Sequence, residues 1–147
     1  MTIRQFCQSD FDEWARMRRS LWPRLSVEAC RRDMRQMLAV PDRVVVFVCE
    51  FPDGRLHGFI EAGLRDVAED CTTSPVGYIE GWFVDPDARQ LGVGRDLVAT
   101  AEAWARTKGC QEMASDTELD NTVSQQAHRQ LGYEAGRPIV PFRKSLR

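Results

Sequence analysis

The stretch that decides the fold is DPDARQLGVGRDL, residues Asp85 to Leu97. An apolar, β-branched segment precedes it and a helical repeat of apolar residues follows it, so the pattern predicts a strand-to-helix turn. Its two glycines, Gly92 and Gly94, allow close approaches of the backbone that larger residues forbid. The first amides of a helix lack partners within the helix and attract anions. The sequence therefore predicts a phosphate-binding turn, or a surface turn that the glycines merely soften.

Two familiar phosphate-binding motifs do not fit this turn. A P-loop carries Lys and then Ser or Thr after its last glycine, whereas Arg95 and Asp96 stand there. A dinucleotide fingerprint has a third small residue where this chain has Leu97, and it follows the first strand of its unit. The present turn follows the third predicted strand, which disfavours that motif as well.

Composition indicates one soluble globular domain over residues 1–147. The net charge of −2 gives no basic patch for nucleic acid or an anionic membrane. We see no signal peptide and no apolar run long enough for a membrane span. The five cysteines and two histidines show no zinc, redox or other metal spacing, which favours reduced thiols in the cytoplasm and no metal.

The periodicity predicts the order helix, helix, three strands, helix, strand, helix, strand. This order favours an α/β fold: a mixed sheet with helices on both faces and at least two parallel neighbours. The predicted helices begin at Ser9 and Ser26 and span Gly94–Lys108 and Asn121–Leu131, and the predicted strands span Val44–Phe51, Arg55–Arg65, Gly77–Val84, Gln111–Asp116 and Tyr133–Arg143. Pro138 and Pro141 limit the pairing of the last strand.

The motif RQLGVG, Arg89 to Gly94, resembles the R/Q-x-x-G-x-G/A turn of the GNAT acetyltransferase superfamily. The strand ending in VDP, the long amphipathic helix and the later AHRQLGY agree with that resemblance, which implies the GNAT acyltransferase fold. It also implies that acetyl-CoA is the co-substrate, with its pyrophosphate on the backbone amides of the turn. The implied cofactor-binding residues are Phe83, Val84, Arg89, Gln90, Leu91, Gly92, Val93, Gly94, Arg95 and Asn121.

Four further pieces resemble one branch of bacterial aminoglycoside 6′-N-acetyltransferases: LW, TSPVGYIEGWFV, EMASDTELDN and SQQAHRQLGY. That resemblance implies acetylation of the 6′-amine of a polycationic antibiotic by direct attack in a ternary complex, antibiotic resistance, and a homodimer. The chain departs from the branch in two places. No aromatic residue lies between Asp66 and Thr73, and Pro141 stands in the last predicted strand, which could be exchanged across the dimer.

Glu80 is the first candidate catalytic residue, because it interrupts the apolar strand GYIEGWFV. Strand alternation puts Tyr78, Glu80 and Trp82 on one face. A carboxylate in a largely enclosed strand needs a partner. That partner is either the ammonium of the acceptor, whose proton Glu80 would accept directly or through water, or a structural Arg or Lys.

Three more residues are candidates for the acceptor site. Asp116 ends a predicted strand, where sheet proteins place ligand contacts, and the resemblance assigns it to a substrate ammonium; alternatively it caps the next turn. Trp22 is either a flat wall against a sugar ring or a core aromatic. Asp66 begins an acidic loop that either attracts a polycation or is simply solvated.

His128 occupies the place where many GNAT enzymes carry a tyrosine that protonates the departing thiolate. A histidine has a suitable pKa for that role. Alternatively, His128 lies on the helix surface or bonds to Ser124 one turn earlier. Asn121 caps the same helix, contacts coenzyme A, or does both.

Two other functions compete with this interpretation. The first is the same acetyl transfer to a different amine, such as a polyamine, a small metabolite or a protein N-terminus. The second is a non-catalytic module that binds acetyl-CoA. Since attack of an amine on a thioester needs no protein nucleophile, the lack of a Ser/His/Asp or Cys/His set does not argue against an enzyme.

Overall fold

The five strands lie in one sheet, side by side in the order in which they occur in the chain, and only the last two run parallel. The computed structural model describes residues 1–147 and divides into two units, Met1–Ser115 and Asp116–Arg147. The larger unit contains β1 Thr2–Gln5, α1 Phe11–Leu21, α2 Val27–Leu38, β2 Val44–Glu50, β3 Leu56–Arg65, β4 Val76–Val84, α3 Val93–Thr107 and β5 Met113–Ser115. The smaller unit contains α4, Thr122–Gln130.

The sheet is covered on both faces, as the alternation along β3 shows. Phe59 joins the buried cluster of α1 and α2, while a Cβ at its neighbour Gly58 would lie 3.2 Å from side-chain carbons of Leu97 and Val93 in α3. The mixed sheet with helices on both faces is confirmed. Its larger core consists of Trp14, Ala15, Met17, Cys30, Met34, Val46, Val48, Leu56, Phe59 and Phe83.

Helix starts follow the capping residues of the sequence in two of three predicted cases. The Ser26 hydroxyl accepts a hydrogen bond from the Ala29 amide at 3.1 Å, and the Asn121 side chain accepts one from the Ser124 amide at 3.0 Å. Ser9, by contrast, lies inside a short 3₁₀ turn that precedes α1. Helix α1 therefore begins two residues later than its predicted cap, at Phe11.

The sheet differs from the prediction at both of its ends. Strand β1 was not predicted, because it is a four-residue edge strand containing Arg4 and Gln5 and owes its structure to pairing with β2. The predicted strand Tyr133–Arg143 is wrong: no residue of it is in a strand, and its prolines remove two amide donors. The sheet therefore has one parallel pair of strands, where the prediction required at least two.

None of the helices combines the length and the apolar character needed to cross a bilayer. All five cysteines are free thiols, and Cys30, Cys49 and Cys110 are buried. No group of three or more His, Cys, Asp or Glu side chains is arranged to hold a metal ion.

Candidate active site

Strand β4 contains a bulge at Glu80. Glu61 of β3 pairs with Gly81, and the next residue of β3, Ala62, already pairs with Ile79. Glu80 is therefore the extra residue that the opposite strand does not match. Two successive residues of β4 consequently face the same side of the sheet, the side that α1 covers: Glu80 with its side chain, and Gly81 with the position at which a Cβ would stand.

The bulge directs Trp82 away from the face that carries Glu80. A Cβ at Gly63, on the α1 face, would lie 3.9 Å from Glu80 Oε1. A Cβ at Gly94 of α3 would lie 3.2 Å from Cζ2 of Trp82, on the other face. The prediction that Tyr78, Glu80 and Trp82 share a face is wrong for Trp82, because strict alternation ends at a bulge.

Glu80 is accessible to solvent and forms an ion pair. Its side chain is 37% exposed, and Arg65 donates to both carboxylate oxygens, from Nε at 3.1 Å and from Nη2 at 2.9 Å. The same guanidinium lies 3.4 Å from the ring centroid of Tyr78. The expectation of an enclosed carboxylate is therefore wrong, and the structural partner that the sequence left open is an arginine.

Glu61 is the enclosed carboxylate of this region, and sequence reasoning missed it. Its side chain is 1% exposed, and Oε1 accepts hydrogen bonds from Trp14 Nε1 at 3.1 Å and Arg18 Nε at 2.6 Å. Burial raises the pKa of Glu61 to about 7, although the Arg18 charge acts in the opposite direction. The segment GFIEAG carries the same signal as YIEGW, a lone acid in an apolar strand, and could have revealed it.

Trp22 covers the strand beside Glu80. It follows the last residue of α1, is half-buried, and its ring centroid lies 4.9 Å from the guanidinium of Arg18. A Cβ at Gly81 would lie only 2.7 Å from Cη2 of Trp22. The absence of a side chain at Gly81 thus makes room for the indole. Trp22 packs on the face of β4 from which the Glu80 side chain projects.

The glycine turn has the backbone expected of an anion-binding helix start. Gln90 and Gly92 have positive φ angles of 66° and 82°, and the 15-residue helix α3 begins directly after Gly92. The amides of the first turn of α3 have no acceptors within the helix, and the helix dipole favours negative charge there. These residues fit the pyrophosphate of a coenzyme.

The two glycines of the turn serve different purposes. Gly92 takes the left-handed conformation at the helix start. Gly94 has an ordinary backbone, and its missing side chain makes room for the Trp82 indole. Arg89 donates from Nε to the Val84 carbonyl at 3.1 Å, and Arg95 donates to Asp96 at 3.3 Å.

Strand β4 extends well beyond the end of β5. The parallel pairing covers only Gly77 to Ile79, after which β4 pairs with β3 alone as far as Val84. Phe83 and Val84 therefore lie where β5 no longer covers the edge of β4.

The acidic loop after β3 is anchored to the segment before β5. Glu112 Oε1 accepts hydrogen bonds from the Thr72 amide at 2.9 Å, from the Thr73 amide at 2.8 Å and from the Thr73 hydroxyl. These donors, the hydroxyl foremost, lower the pKa of Glu112. Asp66, at the start of the loop, is 87% exposed and lies 3.7 Å from Arg43 Nη2.

The smaller unit holds the other three predicted site residues. Asp116 is exposed and directly follows β5 in the chain, and Asn121 caps α4. His128 Nδ1 donates to the Ser124 carbonyl at 2.7 Å, so the alternative contact with Ser124 is present. In the neutral ring this hydrogen bond leaves Nε2 as an acceptor, and Nε2 can give up a proton only from the imidazolium.

Strand β4 extends beyond its parallel neighbour β5 and leads through the glycine turn into the N-terminus of α3. This arrangement is typical of an acyl-CoA transferase. The chain belongs to the GNAT acetyltransferase family, whose sequence profile matches residues 11–133. It is 39% identical over 145 residues to aminoglycoside N(6′)-acetyltransferase type 1 of Salmonella typhimurium, covering 98% of this chain and 99% of that protein.

Solved structures agree with the sequence comparison. The structure of AAC(6′)-Iy in complex with the bisubstrate analog CoA-S-monomethyl-acetylneamine matches with a TM-score of 0.91 at 37% identity, over 98% of this chain and 97% of that one. The apo structure of AAC(6′)-IG from Acinetobacter haemolyticus matches with a TM-score of 0.93 at 32% identity, over the whole of both chains.

Proposed function

We propose that this chain transfers the acetyl group of acetyl-CoA to the 6′-amine of an aminoglycoside, and that it thereby confers antibiotic resistance. The observation that carries the proposal is the solvent-accessible carboxylate of Glu80, on the same face of β4 as the Trp22 indole that packs at Gly81, in a chain whose full-length relatives are named for this activity. A carboxylate suits an ammonium group, and a flat indole suits the face of a sugar ring.

The co-substrate supplies the acetyl group as a thioester, and the chain has residues to hold it. We assign its pyrophosphate to the backbone amides of Gln90 to Arg95, with positive charge added by Arg89 and Arg95. The edge of β4 at Phe83 and Val84 is assigned to the acetyl carbonyl and the pantetheine arm. Asn121 is assigned a coenzyme contact in addition to its cap.

Glu80 has two tasks in this mechanism: it binds the acceptor as an ammonium, and it takes the proton that makes the amine nucleophilic, directly or through water. The amine nitrogen then bonds to the carbonyl carbon, the bond from that carbon to sulfur breaks, and the nitrogen gives up its second proton to water as the amide forms. Asp116 and Asp66 hold further ammonium groups of the acceptor, and Trp22 orients its ring. Most of the rate enhancement comes from orientation and backbone donors.

The departing thiolate needs a proton, and His128 is our candidate for supplying it. Because Nδ1 is engaged with the Ser124 carbonyl, the proton would come from Nε2 of an imidazolium. A variant His128→Gln keeps a polar side chain but cannot act as an acid. We expect it to reduce kcat while leaving the KM for the acceptor unchanged.

We also propose a homodimer that uses the C-terminal segment. This segment exposes four large apolar side chains: Ile139, Val140, Phe142 and Leu146. Exposed apolar groups clustered in one segment are typical of an interface between proteins. We propose in addition that residues 1–147 function as one domain, and that the reaction takes place in the cytoplasm, where free thiols persist.

An acceptor panel tests the proposed function. Thiol release from acetyl-CoA is measured with kanamycin, tobramycin, spermidine and a peptide with a free N-terminus, and the product of any aminoglycoside reaction is mapped by NMR. We expect turnover on the aminoglycosides, with the new amide at the 6′-nitrogen. Equal turnover of the peptide would contradict the aminoglycoside assignment, and tight binding of acetyl-CoA without any turnover would favour a non-catalytic module.

A further inference from the structure

Arg65 occupies the position in which the proposed function puts the acceptor. Its guanidinium binds both oxygens of Glu80, at 3.1 and 2.9 Å, and lies 3.4 Å from the ring centroid of Tyr78. A carboxylate together with an aromatic face is the set of groups that receives an organic cation. The chain therefore presents one of its own cations to the groups that suit an amine.

We propose that Arg65 is a specificity-determining residue: it acts as an internal competitor for Glu80, which an acceptor ammonium must displace before acetyl transfer. This proposal rests on the proposed role of Glu80 in binding the acceptor. When the acceptor enters, the carboxylate of Glu80 releases the guanidinium of Arg65 and binds the ammonium of the acceptor. The Arg65 side chain then rotates out towards the solvent.

The exposure of the pair makes this exchange possible. The side chains of Arg65 and Glu80 are 43% and 37% exposed, so water can solvate each of them when they separate. Exposed ion pairs of this kind are weak, and salt screens them further. Glu61, which lies four residues before Arg65 on the same strand, is 1% exposed and could not change partners in this way.

The competition favours acceptors that carry several positive charges. A monoamine has one positive charge with which to replace the guanidinium of Arg65 at Glu80. Because one ion pair is exchanged for another, the exchange adds no net favourable interaction. A polycation keeps additional charges for further acidic groups, such as Asp66 and Glu69 on the loop that follows β3. Arg65 therefore raises the KM of every amine, and it raises the KM of monoamines more than that of polycations.

The test compares wild type with Arg65→Gln, which keeps a polar side chain but removes the charge. We expect the KM for kanamycin to fall about twofold, and the KM for a monoamine to fall further, up to about fivefold, the range that a weak exposed ion pair allows, with the KM for acetyl-CoA unchanged. Arg65→Lys, which keeps the charge but loses the two-point contact, is expected to lie between the two proteins. If Arg65 instead serves to orient Glu80, then Arg65→Gln raises the KM or lowers kcat, which overturns the proposal.

Arg31→Gln is the matched control. Arg31 also pairs with a carboxylate, Asp12 at 3.2 Å, and its guanidinium lies 5.5 Å from the ring centroid of Phe11. The Arg31→Gln variant removes the same charge from another part of the chain, and we expect it to leave the KM for each acceptor amine unchanged. An equal fall in both variants would attribute the effect to net charge and would overturn the proposal.

A cycle with Glu80→Gln separates this proposal from the proposed function. In that background there is no carboxylate to contest, so Arg65→Gln should no longer lower the KM. If Glu80→Gln alone leaves the KM for the acceptor unchanged, the role of Glu80 in the proposed function fails. If Glu80→Gln raises the KM but Arg65→Gln on wild type does not lower it, only the present proposal fails.

Discussion

Glu61 and Glu80 are both lone acids in apolar strands, yet their side chains differ in exposure to solvent and in the strength of their ion pairs. Glu61 is enclosed and bound by Trp14 and Arg18, whereas Glu80 is 37% exposed and pairs with Arg65. The two carboxylates belong to neighbouring strands and to the same face of the sheet. What separates them is the bulge in β4, which moves Glu80 one position out of register with β3.

This difference indicates a division of labour. A carboxylate without access to solvent cannot exchange its partners with a substrate, so Glu61 serves the structure. A carboxylate at a bulge keeps a weak, exchangeable partner, so Glu80 is available for chemistry. In the proposed function, the availability of Glu80 thus depends on the bulge in β4 as well as on residue type.

The largest expected effect comes from removing the buried carboxylate. Glu61→Leu leaves the Arg18 guanidinium, which is 7% exposed, without its charged partner. Breaking a buried pair in this way costs about 3–5 kcal/mol of the free energy of unfolding. Urea denaturation of wild type and variant at about pH 8, above the raised pKa of Glu61, measures the loss. A loss below about 1 kcal/mol would contradict the structural role of Glu61.

The double variant Arg18→Met/Glu61→Leu is the control for that experiment. It replaces both charges with apolar groups of similar size, and such replacements of a buried pair are often neutral or stabilising. We expect most of the lost free energy of unfolding to return. Continued instability of the double variant would mean that packing, or the Trp14 indole N–H left without its acceptor, explains the effect of Glu61→Leu rather than an unpaired charge.

A smaller loss of stability is expected at the bulge itself. In Gly81→Ala, the new methyl group would lie 2.7 Å from Trp22 Cη2 and 3.1 Å from Glu61 Oε2, so the indole must move. Overpacking of this kind costs about 1–3 kcal/mol. Gly63→Ala is the matched control, because a methyl group there meets its nearest neighbour at 3.4 Å. Equal losses for the two variants in urea denaturation would contradict the close packing of Trp22 on Gly81.

The pH dependence of stability should also distinguish the two acids. Burial raises the pKa of Glu61 from 4.5 to about 7, so folding takes up a proton between those values. The contribution of protonated Glu61 to the free energy of unfolding is therefore fully present below pH 4.5 and is lost as the pH rises to about 7. The expected slope is about 1 kcal/mol per pH unit. Glu61→Gln should flatten the curve measured by thermal denaturation, and an unchanged curve would contradict the assignment.

The smallest expected effect on stability is that of the exposed pair. Arg65→Gln removes an ion pair whose members are both more than one third exposed, and such pairs contribute about 0–1 kcal/mol. Urea denaturation should therefore give nearly the same midpoint as wild type. A loss above about 2 kcal/mol would mean that Arg65 has a structural role beyond its contact with Glu80.

Most of the fold could be predicted from the sequence, because its signals are local. The apolar runs of β2, β3 and β4, the cap at Ser26 and the glycine turn each identify an element from a few residues. Strand β1 could not be found in this way, because its structure depends on pairing with β2. The predicted last strand failed because apolar residues alone do not make a strand without a partner to pair with.

The candidate site was less accessible to sequence reasoning than the fold. Glu80, Trp22 and the turn stand out as residues. Gly81 beside Trp82 is consistent with a bulge, but the sequence alone does not establish the register shift that orients Glu80. Glu61 and Arg65 act through partners 43 and 15 residues away in the chain, which no local pattern reveals. The contacts of Arg65 with Glu80 and Tyr78 depend on strand pairing, a long-range property of the fold.

The most direct test of the account is Glu80→Gln, with acetyl transfer to kanamycin and urea denaturation measured on the same preparations. General bases contribute about 10²–10⁴-fold to rates, so we expect kcat/KM to fall by about 10²-fold or more. The denaturation midpoint should stay close to that of wild type, because the side chain is exposed and its ion pair is weak. Retained acetyl transfer in a stable variant would contradict the catalytic role of Glu80 and, with it, the division of labour between the two carboxylates.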